Sequence, residues 1–118
     1  MLTFEQALEL YRTRTDRRRS VLLAPHTRLV PLAEDRFGVQ YYNTYVIRIL
    51  KNGLYVINVA SRLCEEVVDV VATYSPLKLV RKGGGWVNQH GQDFHNSSVV
   101  NAKGELVDSK QIVPFKEV

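Results

Sequence analysis

Arginines form the densest chemistry-bearing set in this chain. Arg12, Arg14, Arg17, Arg18 and Arg19, offset by Asp16, sum to +4 within eight residues, and the full 118-residue chain also carries a formal net charge of +4. The remainder is therefore neutral overall, and the basic character is local. A local basic cluster draws in polyanions by releasing their counterions, which makes nucleic acid or a nucleoprotein the first partner to consider. The same arginines at the C-terminal end of a helix would also complement the negative end of its dipole, a role that needs no partner. Arg48 and Tyr55, on adjoining strands of a central hairpin, join Arg12, Arg14, Arg17, Arg18 and Arg19 as candidate binding residues, because aromatic rings beside arginines stack on bases or anchor protein interfaces. Tyrosine is also simply a good strand residue, so packing accounts for many of Tyr41, Tyr42, Tyr45, Tyr55, Tyr74 and Trp86.

Other reactive residues are sparser. His90, Asp93 and His95 share a polar stretch with a spacing that could ligate a divalent metal, although loop histidines and aspartates also arise from turn chemistry alone. Cys64 is the only cysteine, which rules out an intrachain disulfide and fits a reducing compartment. On a helix it is expected to be buried and to behave as a small hydrophobe. No serine sits in a recognisable nucleophile elbow. The carboxylate pairs Glu65-Glu66 and Glu34-Asp35 are explained by a helix start and a turn. Gly83-Gly84-Gly85 is not a phosphate loop, which requires Gly-x-x-x-x-Gly-Lys-Ser/Thr opening a helix. The reading is a non-enzymatic protein with no catalytic residues, no metal and no cofactor; a metal-dependent enzyme using His90, Asp93 and His95 is the minor alternative.

The elements that carry these residues follow from pattern. Apolar content of 45% and charged content of 24% are ordinary globular usage, and 118 residues suit one domain. There is no run of eighteen apolar residues and the N-terminus is acidic, so neither a membrane span nor a signal peptide is expected and the cytoplasm is the default location. Thr3-Phe4-Glu5-Gln6 reads as a capping box, and Phe4, Ala7, Leu8 and Tyr11 recur at helical spacing, predicting a helix over about 3–18. Val21–Ala24 before Pro25, and Thr27–Val30 before Pro31, read as short strands near a sheet edge. The turn at Glu34–Gly38 pairs residues 28–32 with 39–43 in a meander.

Asn52-Gly53, between the β-rich runs 39–50 and 54–60, is the strongest hairpin signal in the chain. A two-residue turn there would pair Ile49 with Val56 and Ile47 with Asn58, extending to Tyr45 with Ala60. It would place Leu50, Tyr55, Arg48 and Ile57 together on the opposite face. Both faces would be largely apolar, predicting a central hairpin covered on both sides by helices, chain ends or a second subunit, helices on both faces first and otherwise a partner surface. Ser61 could cap a second helix over about 62–74, whose apolar face is Leu63, Val67, Val70, Val71 and Tyr74 and which Ser75-Pro76 stops. Residues 77–82 and 86–89 form a second hairpin with a glycine tip, 90–98 a loop, and 99–100 with 105–107 a last hairpin. Ile112–Phe115 is apolar enough to dock on the sheet. The expected architecture is α+β, a single domain over 1–118: an antiparallel sheet of five to seven strands within 21–107, two helices packed on it, and a tail over 108–118.

The succession Leu29-Val30, Tyr42-Asn43-Thr44-Tyr45-Val46-Ile47, Asn52-Gly53-Leu54-Tyr55-Val56-Ile57-Asn58, a helix ending at Pro76, then Leu79-Val80-Arg81-Lys82-Gly83-Gly84-Gly85-Trp86-Val87 resembles a group of small bacteriophage- and plasmid-encoded proteins. In that group a strand containing Asn-Thr, an Asp-Gly turn with its strand, a helix and a strand pair ending in Gly-x-Trp follow one another. The likeness covers roughly residues 27–88; Asn52 stands where the group usually has Asp, and Val59-Ala60-Ser61 where it commonly has Gly-Gly-Trp. It implies an accessory protein of a mobile element without bringing any catalytic residue. The functional expectation is a factor that binds nucleic acid or a nucleoprotein through its arginines. The alternative is a protein-interaction module, inhibitors of host defence included, that acts through the apolar and aromatic sheet face.

Overall fold

The computed structural model describes residues 1–15, 19–59, 64–95 and 97–107. Helix α1 (Phe4–Arg12) starts on the expected capping box: the Thr3 hydroxyl accepts from Gln6 N at 3.1 Å and the Gln6 side chain accepts from Thr3 N at 3.0 Å. It is shorter than the expected span to residue 18. Thr13 is its C-cap, and the Thr13 hydroxyl donates to the Glu9 carbonyl at 2.8 Å. Such a hydroxyl back-bond competes with the helix ladder.

Strands β1 (Val21–Ala24), β2 (Thr27–Ala33), β3 (Arg36–Tyr41), β4 (Thr44–Leu50) and β5 (Tyr55–Asn58) follow as antiparallel neighbours. Helix α2 (Glu65–Tyr74) comes next, then β6 (Val80–Lys82), β7 (Gly85–Val87), β8 (Asp93–Phe94), β9 (Ser97–Val100) and β10 (Leu106–Val107). The fold is α+β, as the sequence predicts. The main sheet has seven strands in the order β1-β2-β3-β4-β5-β9-β10, and β6-β7-β8 form a separate three-stranded sheet. Pro25 lies in the β1–β2 turn as expected, whereas β2 does not stop before Pro31 but runs through it to Ala33, the β2–β3 register shifting just after the proline. The stretch 90–98, expected as a loop, contributes β8 and the start of β9.

The central hairpin corrects the expected register by one residue. Ile47 pairs with Ile57, Arg48 with Val56 and Ile49 with Tyr55. Gly53 N donates to Leu50 O at 3.1 Å and Leu50 N to Leu54 O at 3.0 Å, so Lys51-Asn52-Gly53 is a three-residue loop. Within it only Gly53 has positive φ, at 91°, whereas a two-residue type I′ turn needs positive φ at both centres. One slipped residue exchanges the faces. Tyr55 therefore joins Ile47, Ile49 and Ile57 and leaves Arg48. The expected Tyr45–Ala60 pair lies partly outside the described residues.

Leu29, Val39, Ile47 and Ile57 form one row across β2 to β5, all at 0% exposure. Burial of each contributes on the order of 2 kcal/mol. Both helices cover this face, rather than one on each side. Phe4 and Tyr11 of α1 pack on Phe37 with ring centroids 5.5 and 5.9 Å apart, and Val70 and Val71 of α2 join the same core. Leu77, Leu79 and Phe94 extend that cluster to the small sheet, so a single core serves both sheets. Glu65 and Glu66 open α2 as expected, but Cys64 is its exposed N-cap and not a buried helical thiol. The proposed cap Ser61, the apolar Leu63 and the tail 108–118 lie outside the described residues. Among the described residues no helix is long and apolar enough to cross a membrane.

Candidate nucleic-acid interface

The face away from the helices is mixed: one row runs Val30, Gly38, Arg48, Val56 and Val99, and the polar and basic groups gather toward the β1 edge. Register sets Leu22, Arg28, Gln40 and Tyr45 in a row across β1 to β4. A bulge at Val46 switches Tyr45 onto this face, since Ile47 opposes Val39 while Tyr45 opposes Gln40. Arg48, beside Gly38 in the next row, has its guanidinium 5.9 Å from the centre of the Tyr45 ring and is 7% exposed. It is thus largely withdrawn from solvent.

Two adjoining depressions mark this side of the molecule. One, of about 380 Å³, runs from the end of α1 to the sheet edge past Thr13, Arg14, Ser20, Leu22 and Arg28. The other, of about 330 Å³, is lined by Leu22, His26, Arg28, Gln40, Tyr42 and Asn43. Leu22 and Arg28 belong to both. Arg28 donates to the Ser20 hydroxyl at 3.0 Å, which holds the guanidinium at the junction. Leu22, at 61% exposure, is an apolar ridge on an edge strand.

Of the sequence-predicted arginines, Arg12 closes α1 and is exposed, and Arg19 is exposed ahead of β1. Arg14 lies 3.8 Å over the centre of the Tyr11 ring and donates to the Tyr11 carbonyl. That cation–π contact fixes its aliphatic stem beside the first depression. Arg17 and Arg18 lie outside the described residues. Arg28, which sequence reasoning passed over, is the basic residue that the sheet adds to this surface. Arg36, by contrast, is held by Asp35, whose carboxylate accepts from Arg36 Nε at 2.9 Å, and this hydrogen bond lowers the Asp35 pKa.

Tyr55 lies on the opposite face of the sheet from Arg28 and Gln40. It is buried on the helix-covered face and donates to the Leu2 carbonyl at 2.9 Å, and burial raises the pKa of its phenol. His90 Nε2 donates to the Lys103 carbonyl at 2.9 Å, while Asp93 pairs with Val87 in the small sheet and His95 is exposed. Among the described residues, no group of three or more His, Cys, Asp and Glu is placed to hold a metal ion.

His26, Gln40, Tyr42 and Asn43 are further residues the sequence reading did not place in the site. Their signal is two short gaps, Pro25-His26 between β1 and β2 and Tyr42-Asn43 between β3 and β4, which bring both turns to one end of the sheet. No protein-family model matches this chain, and no curated protein or solved structure shows significant similarity to it.

Proposed function

We propose that this chain is a small non-enzymatic nucleic-acid-binding protein that contacts phosphates through the groove between the end of α1 and the β1 edge. The observation that carries the proposal is that Arg14 and Arg28 line one depression, with exposed Arg12 and Arg19 on the flanking segments. Charges spaced along a groove suit a polyanion better than a single small anion. Arg17 and Arg18 add to the local charge of the sequence. The resemblance to bacteriophage- and plasmid-encoded proteins supports an accessory role in the cytoplasm of a bacterial host. A second reading, a protein-binding module that self-associates or inhibits a host defence, is favoured by the exposed Leu22 beside Tyr42, 61% and 58% exposed.

Fluorescence anisotropy with labelled single- and double-stranded DNA and RNA tests the first reading. With three to five phosphates neutralised, affinity falls about 10²- to 10³-fold for single strands and about 10²- to 10⁴-fold for duplex between about 20 and 150 mM salt. Reversing Arg14 and Arg28 together to Glu removes about two contacts from that slope, while the loss of their contacts to Tyr11 and Ser20 lowers the thermal midpoint by several degrees and leaves the protein folded at the assay temperature. Absence of binding at low salt overturns the nucleic-acid reading and leaves the protein partner.

A further inference from the structure

Two residues other than glycine have positive φ among the described residues, His26 at 61° and Tyr42 at 54°, and they touch each other. Their rings stack with centroids 4.4 Å apart and planes 11° from parallel, and Tyr42 N donates to the His26 carbonyl at 2.9 Å. Tyr41 meets the Tyr42 ring at 83°. Side chains with a Cβ rarely adopt this backbone; histidine does so more often than most, like Asn and Asp, but tyrosine does not, so Tyr42 is the marked outlier. Yet neither ring is buried in return: Tyr42 is 58% exposed and His26 is exposed as well. Residues held in such conformations cluster at binding sites. Around the stack, Gln40 and Asn43 each present an amide with donors and an acceptor, and Arg28 presents a cation.

We infer that the His26–Tyr42 stack is a platform for an unpaired base of a single-stranded nucleic acid, with Arg28 taking the adjacent phosphate and Gln40 and Asn43 facing the base edge. This rests on the nucleic-acid reading above and deepens it by naming the form of the partner. Bases stacked in a duplex cannot offer a free face to a protein ring, whereas a single strand can. The junction at Arg28 sets the strand's course, from the arginine groove at the end of α1 over Leu22 to the paired turns.

The test compares two labelled twelve-residue strands at low salt, oligothymidine and a fully abasic strand with the same phosphates. Oligothymidine binds about tenfold more tightly, the effect of one stacked base. Tyr42→Ala brings its affinity down to that of the abasic strand, and Tyr42→Phe, which keeps the ring, retains the preference. Equal binding of the two strands by the wild-type protein overturns the platform while leaving the arginine groove standing. Binding of neither strand overturns both. Preference for duplex over oligothymidine also overturns the platform, and because the first comparison uses only the wild-type protein, a variant that fails to fold does not obscure the result.

Discussion

Two corners of this molecule solve the same problem in opposite ways. Each joins loops that are distant in sequence, the His26 and Tyr42 turns at one and the Asn88–Gln92 and Asn101–Glu105 turns at the other. At the second corner the positive φ values fall on Gly91 at 80° and Gly104 at 79°. Asn88, 2% exposed, donates from Nδ2 to Gly104 O and Gln92 Oε1, both at 2.9 Å, and accepts from His90 N and Gln92 N at 3.1 and 2.8 Å. Gln89 donates to the Pro76 and Lys103 carbonyls at 2.8 and 3.2 Å and accepts from Lys78 N at 3.1 Å. Among the described residues no buried side-chain polar atom there lacks a partner, and glycine takes the backbone that other residues resist. At the His26–Tyr42 corner the chain instead spends conformational strain on rings it leaves in water. The amide corner uses glycine and satisfied amides, and the His26–Tyr42 corner departs from that habit.

If that contrast is right, substitutions at the amide corner cost stability in proportion to the packing they disturb. The largest effect is expected of Gly104→Ala. A Cβ there collides with the Gln89 amide and the Pro76 carbonyl, and the backbone is held at φ 79°. Strain and collision together cost about 3 kcal/mol, read as a drop in the chemical-denaturation midpoint with an unchanged slope. Asn88→Ala comes next at about 2 kcal/mol, because it strands the buried Gly104 carbonyl and two part-buried backbone N–H groups, of His90 and Gln92. A loss below about 0.5 kcal/mol for either would show that water replaces these partners freely and that the corner is not a lock.

The amide corner also shows where sequence reading stops. The last hairpin was legible, since Val99-Val100 and Glu105–Val107 flank a loop ending in Gly104, and Val100 does pair with Leu106. What was not legible is that β9 pairs with β5, Val56 opposite Val99, across a helix and a second sheet. Nothing local records a partner some forty residues away, and the polar Ser97-Ser98 that begin β9 carry no strand period. The central hairpin was visible, but its register was not: Asn-Gly serves a two-residue loop and, with Gly53 alone at positive φ, a three-residue loop as well. The arginine cluster was read from charge, yet Arg28 entered the site only through its cross-strand neighbours Leu22 and Gln40. A row across three strands is a property of register, and a one-dimensional pattern does not show it. Tyr55 fell away for the same reason, because the slip of one residue turned it from the side of Arg48 to the core.

The smallest expected effect is the sharpest test of the comparison. Gly53 and Tyr42 occupy the turns at the two ends of β4, both with positive φ, at 91° and 54°. Gly53 has open space around it, so Gly53→Ala meets no neighbour and pays only for the left-handed backbone, about 1 kcal/mol or a few degrees in Tm. Tyr42→Gly makes the reverse exchange. It relieves about 1–2 kcal/mol of left-handed strain, but it loses about 1 kcal/mol of ring stacking and adds freedom to the unfolded chain. The opposing contributions leave a net change within about 0.5 kcal/mol. A thermal melt of both variants decides between two accounts of the ring. If Tyr42→Gly is as harmful as Gly104→Ala, the ring is a clamp and the two corners do one job by different means. If it melts with the wild type, the tyrosine contributes nothing net to the fold that glycine could not supply, and the comparison of oligothymidine with the abasic strand becomes the test of what the ring does.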